Sequence, residues 1–164
     1  RQRRRVEIRP QRLRPHPELL TDLVVFYTGQ PHHSGLTNWQ AYTRFIDGDF
    51  HTRAALAEIR AVAKEMVLAI PRDALSVGEL LEREGRARVR MSPAVETDAM
   101  TAVRERGQRD GWFAGMKPCG AGGGGCCILV ARSGRREEAV AGLAALAMDV
   151  LPVGISERGL HRVQ

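Results

Sequence analysis

The 164-residue sequence has no long apolar run. Its longest, such as Val24 to Tyr27 and Cys126 to Ala131, fall far below the ~20 residues a membrane span needs. The basic start is followed by no apolar stretch of the kind a secretory signal carries, so a cytoplasmic location is the expectation. Cysteine is scarce. Cys126 and Cys127 are adjacent and face opposite sides of a strand, and Cys119 lies across a glycine-rich loop, so neither a zinc site nor a disulfide is expected. Buried thiols fit better, with Cys119 the one worth testing for reactivity. No Ser/His/Asp or Cys/His catalytic arrangement follows from spacing, and no metal site is expected. Aromatics make up 5% of the chain, and none interleaves with the arginines of the first 14 residues.

That last absence decides how the charge is read. The formal charge of +6 belongs to one arm, built from Arg1, Arg3, Arg4, Arg5, Arg9, Arg12 and Arg14 against Glu7, while acids and bases balance over the rest. Val6 and Ile8 alternate with Glu7 and Arg9, the period of a half-exposed strand with a basic outer face. A nucleic-acid surface wants aromatic platforms among its cations. A solvated edge strand is therefore preferred, and nucleic acid is not an expected partner.

With 43% apolar residues the length suits one domain with a sizeable core. Pro10, Pro15 and Pro17 separate an arm, residues 1–17, from a body, residues 18–164. A strand is expected over Leu23 to Thr28. The spacing of Leu36, Trp39, Tyr42, Phe45 and Ile46 predicts an amphipathic helix, and Leu56, Ile59, Ala63, Met66 and Ile70 predict a second one with a core-facing stripe ended by Pro71. Asp73 or Ser76 can cap a third helix, whose charged half from Arg83 to Arg90 reads as a solvated face. After Ser92-Pro93 a helix capped by Thr97 or Asp98 should bury Met100 and Val103 and stop at Gly107. Strands follow at Trp112 to Lys117 and Cys126 to Ala131, then a helix from Arg135 to Met148 with Val140, Leu143, Ala144 and Ala147 inward, and a last strand from Val150 to Ile155. Elements in this order imply an α+β fold.

Between two of those strands stand Gly120, Ala121, Gly122, Gly123, Gly124 and Gly125. Ordering so many glycines costs much conformational entropy, and a bare backbone can converge its N–H groups on an anion or let another main chain pack closely. The strands on either side are expected to be antiparallel neighbours, with the loop exposed at the end of the sheet. It is not a P-loop, since Lys117 precedes the glycines, and not a dinucleotide fingerprint, since a strand follows rather than a helix. Upstream, Gln30-Pro31-His32-His33-Ser34-Gly35 forms a polar loop. Its adjacent histidines, His32 and His33, point to opposite sides and no third ligand sits at a familiar spacing, so a metal is not expected there.

Lys117, two residues, Gly-Ala-Gly-Gly-Gly-Gly and an apolar strand resemble the C-terminal glycine motif of the GHMP small-molecule kinases, the superfamily of galactokinase, homoserine, mevalonate and phosphomevalonate kinases. Within it they are most similar to the sugar-phosphate members, the D-glycero-D-manno-heptose 7-phosphate kinases. Leu23 to Gly29 resembles the family's strand ending in Tyr-Thr-Gly, Met91-Ser92-Pro93 its Leu-Ser-Pro, and Leu151 to Leu160 its closing strand. Pro118, Cys119 and Cys126 depart from its usual residues. The resemblance implies a ferredoxin-like antiparallel sheet backed by helices and transfer of the γ-phosphoryl of ATP, with Mg²⁺, to a hydroxyl of a sugar or sugar phosphate. It implies that Gly120 to Gly125 shape the nucleotide site, and that Thr28, His33, Ser34 and Lys117 lie near the acceptor. The family's main phosphate loop and acids have no counterpart, so no catalytic residue is expected in this chain. A missing N-terminal kinase half is the expected partner, and a homodimer stays open. The rival reading is a non-catalytic ligand-binding module of the same fold.

Overall fold

The computed structural model describes residues 11–31 and 34–154, and for residues 34–37 the backbone alone. The elements run α1 (Pro17–Asp22), β1 (Leu23–Tyr27), α2 (Ser34–Ile46), α3 (Phe50–Ala69), α4 (Ala74–Met91), a 3₁₀ turn (Pro93–Val95), α5 (Asp98–Asp110), β2 (Phe113–Pro118), β3 (Cys126–Ala131), α6 (Arg136–Ala145) and β4 (Asp149–Leu151). The strands form one antiparallel sheet in the order β2-β3-β1-β4. This is the split βαβ order, and the expected α+β, ferredoxin-like sheet backed by helices is what the chain adopts. The strand expected over Val6 to Arg9, His32, His33 and the chain beyond Gly154 lie outside the described residues.

The alternation of the strands builds two cores. Val24, Phe26, Met116, Cys127, Leu129 and Ala131 face Met100 and Val103 of α5 and Ala139 and Leu143 of α6. On the opposite face Val130 meets Val77 and Leu80 of α4, Val62 and Ala69 of α3, and Leu19 of α1. Small residues set how closely α4 approaches the edge strand β2. A side chain at Gly115 would overlap the carbonyl of Gly78, and one at Gly78 would meet the Cβ of Ala114 at 2.5 Å. Pro118 needs no ladder donor because β2 lies at the sheet edge.

Several expectations change in the folded chain. The buried stripe of α3 is Thr52, Ala55, Val62 and Ala69, with Ile59 and Met66 half-buried, whereas Leu56 and Ala63 turn outward. The small residues of that stripe let α3 lie against α4, which bulkier ones would hold off. On α2, Trp39 and Ile46 are 70% and 78% exposed, so its apolar positions contribute little to either core. The α5 helix passes through Gly107, whose bare face receives the Phe113 ring, and ends at Gly111 in the left-handed region. The helix expected to run to Met148 ends at Ala145; its buried residues are Ala139 and Leu143, while Ala144 and, beyond the helix, Ala147 are exposed. The last strand stops at Leu151, before Pro152. Asp73, not Ser76, caps α4, accepting from Ser76 N at 2.6 Å.

The charged half of α4 is the largest correction. Glu84 is 7% exposed, and Gly85 and Ala87 are buried with it. The side carrying Glu84 lies on β2, where Lys117 of the sheet joins Arg88 of the helix itself in neutralising the acid, while Arg83, Arg86 and Arg90 stay exposed as expected.

Candidate functional site

The glycine loop leaves β2 at Pro118 and re-enters the sheet at Cys126, with Cys119 N donating to Cys126 O at 2.8 Å. It does not project freely. Gly122, Gly124 and Gly125 are buried, because neighbouring main chains close over the loop. Gly123 N donates to Val95 O at 2.8 Å, and Gly125 N donates to Gln30 O at 2.8 Å. Thr28 seals the exit, its N–H and hydroxyl both donating to Gly125 O, at 3.0 and 2.9 Å.

Two positions show why side chains are missing here. Gly122 has φ 75°, and a Cβ on it would stand 2.6 Å from Val95 O; Gly124 has φ 121°, and its Cβ would stand 2.6 Å from Pro31 O. Both conformation and contact exclude an L side chain. The bare backbone thus serves main-chain packing as well as any ligand. Gly122 N–H closes a turn over Gly120 and Ala121 onto the Cys119 carbonyl, whereas Gly124, also buried, donates its N–H to no described residue. Buried main-chain donors without a partner are rare in proteins.

Charge reaches the loop from α4. Glu84 and Arg88, one turn apart, share a face, and Arg88 Nε donates to Glu84 Oε1 at 2.6 Å. Glu84 Oε2 also lies 2.8 Å from Lys117 Nζ, off hydrogen-bonding angles, so that contact is held by charge. Arg88 Nη1 then donates to Gly120 O at 2.6 Å. Two cations around one carboxylate leave a single net positive charge beside the loop. Below it, buried Arg104 pairs with Glu96 at 2.6 Å and with Glu82, which also accepts from Met116 N at 3.2 Å.

Thr28, Gly125 and the rest of the loop are therefore brought together, and Lys117 joins them through Glu84 and Arg88. His33 lies outside the described residues, and Ser34 is placed only as the first residue of α2. Glu84 and Arg88 are site neighbours that the sequence pattern does not announce. The signal that could have found them is the pair Gly78 and Gly85, seven positions apart on one face of α4, which marks that face as closely packed. Of the thiols, Cys119 is exposed yet has its pKa raised by burial of the sulfur and by Cys126, while burial pushes Cys127 up to about 12. Among the described residues no three His, Cys, Asp or Glu side chains gather to hold a metal ion, and no helix is long and apolar enough to cross a membrane.

Solved structures share this architecture. The Lin0012 protein from Listeria innocua matches with a TM-score of 0.70 at 19% identity, over 79% of this chain and 38% of its own. Streptococcus pneumoniae phosphomevalonate kinase in complex with phosphomevalonate and AMPPNP matches with 0.66 at 19% identity, over 79% and 37%. Methanococcus jannaschii mevalonate kinase matches with 0.66 at 18% identity, over 82% and 40%. At such identities the likeness establishes the fold alone. The chain spans well under half the length of these proteins. No curated protein sequence matches it. The profile of the family described as "GHMP kinases C terminal" matches residues 55–147, more than half of the chain and most of the elements that build the sheet and its helices. The chain belongs to the GHMP kinase C-terminal family.

Proposed function

We propose that the chain supplies the C-terminal portion of an ATP-dependent small-molecule kinase, one that transfers the γ-phosphoryl of ATP to a hydroxyl of a sugar or sugar phosphate. The observation that carries this reading is the loop itself. Gly124 is buried, yet its N–H group is given to no described residue, and the Arg88–Glu84–Lys117 group adds one net positive charge alongside. A buried main-chain donor without a described partner, next to a cation, suits a phosphate group. The residues present thus fit the phosphates of ATP. They do not fit Mg²⁺, since no acidic cluster stands among the described residues.

Phosphoryl transfer depends on positioning and on stabilising charge more than on covalent participation. On this reading the backbone of Gly120 to Gly125 fixes the wall between nucleotide and acceptor. Lys117 lends it charge, and Thr28, His33 and Ser34 stand on the acceptor side. The catalytic acids and the metal ligands belong to an N-terminal kinase half. The Streptococcus pneumoniae enzyme, solved with phosphomevalonate and AMPPNP together, supports a nucleotide-dependent reaction on a small phosphorylated acceptor.

The test is ATP consumption with Mg²⁺ against sugar phosphates, mevalonate and phosphomevalonate, run on this chain and on the protein from its full reading frame. Turnover with a sugar phosphate by the longer protein alone is the expected result. Turnover only with mevalonate or phosphomevalonate would replace the acceptor. Absence of turnover in both would favour a ligand-binding module that keeps the fold without the reaction.

A further inference from the structure

Arg88 reaches the glycine loop from a helix that otherwise packs on β2, and it is the described side chain whose guanidinium donates to a carbonyl within that loop, at Gly120. We infer that Arg88 is a positioning residue for the loop, aimed and held by Glu84, and that without it the loop loses the turn over Gly120 and Ala121 and the shape in which Gly124 presents its N–H group. The inference rests on the nucleotide reading of the loop for its functional consequence, but not for its structural one.

Three observations converge on it. The Arg88 side chain is 26% exposed, so its stem is packed and only the head is wetted. Its Nε is fixed by Glu84, a carboxylate whose side chain is 9% exposed and whose other oxygen is occupied by Lys117. A guanidinium held at one edge by a buried acid loses little further freedom when its other edge binds a carbonyl. Finally, Gly120 follows Pro118-Cys119, where the ladder bonds of β2 end, and is itself exposed with φ 64°. The far end of the loop is fixed by Thr28, Gln30 and Val95. Arg88 performs the corresponding task at the near end.

The experiment compares Arg88→Ala and Arg88→Lys with the native protein by hydrogen exchange of peptides covering residues 117–127, alongside thermal unfolding and binding of Mg-ATP. In Arg88→Ala, exchange in the loop should quicken roughly tenfold, the scale of one charge-assisted hydrogen bond. Peptides of α6 should be unchanged, and ATP affinity should fall by a similar factor. Arg88→Lys should recover part of both, since an ammonium keeps the charge but lacks the planar fork that holds Glu84 and the carbonyl at two fixed edges. Unchanged loop exchange in Arg88→Ala would overturn the inference, as would equal quickening across α6, which would mean general destabilisation. If the native protein binds no ATP while loop exchange responds as described, the positioning role stands and the nucleotide reading falls.

Discussion

The carbonyl of Gly125 receives two donors from Thr28, the backbone N–H at 3.0 Å and the side-chain hydroxyl at 2.9 Å. One residue at the end of β1 therefore closes the glycine loop against the sheet. In Thr28→Val the shape is kept and only the hydroxyl bond is lost, so the stability loss should be about 1 kcal/mol. Denaturant unfolding measures it. A loss near zero would mean that the backbone bond alone holds the exit, leaving the hydroxyl free for a ligand.

Gly122 is the sharper probe. A valine there meets the Val95 carbonyl and demands a left-handed backbone from a β-branched residue. The strain should lower stability by about 1–3 kcal/mol, and nucleotide binding should be lost while the far-ultraviolet dichroism stays native. Retained binding would remove the loop from the site.

Arg104 carries a different load. It is 2% exposed between Glu82 and Glu96, and its removal would leave Glu96 without its cation and Glu82 with Arg86 alone, on its outer oxygen. Arg104→Ala should cost about 3–5 kcal/mol, the range for breaking a buried pair. Urea midpoints measured on the native and variant proteins check this. A loss under about 1 kcal/mol would mean that solvent reaches the acids.

Asp73 sets a pH dependence. Bonds from Ser76 N, Arg72 and the Ser76 hydroxyl lower its carboxyl from the ordinary 3.8 to about 2. A depressed carboxyl stabilises the native state fully above its unfolded value, and that contribution is lost as the pH falls from about 4 to about 2. Asp73→Ala should therefore cost about 1 kcal/mol at neutral pH, the usual worth of such a cap. The gap should narrow in urea melts at about pH 2. A gap independent of pH would mean that the cap does not act through its charge.

The strands and the glycine loop are legible in the sequence because their signals are local: β-branched runs, alternation, and a composition no other segment shares. A cap at Asp73 or Ser76 is legible for the same reason, and the structure selects Asp73. The meaning of Glu84 and Arg88 is not. A charged run looks the same whether water or a lysine from a distant strand neutralises it, and Lys117 lies 33 positions from Glu84 in the sequence. The stripe of α3 hides for a related reason. Alanines at 55 and 69 are quiet in any hydropathy pattern, yet they decide how near α4 can come. At the site, the loop's tie to Val95 and Gln30 uses only main-chain atoms, which no side-chain pattern can announce.

The Thr28–Gly125 bond joins residues 97 apart in the chain. Closing so long a segment costs entropy before any contact rewards it, so the β2–β3 hairpin can form early while its glycine tip waits for β1 to arrive. Thr28→Val should accordingly quicken unfolding and leave the refolding rate nearly unchanged. The most glycine-rich part of the molecule is then also the last to take shape and the first to open.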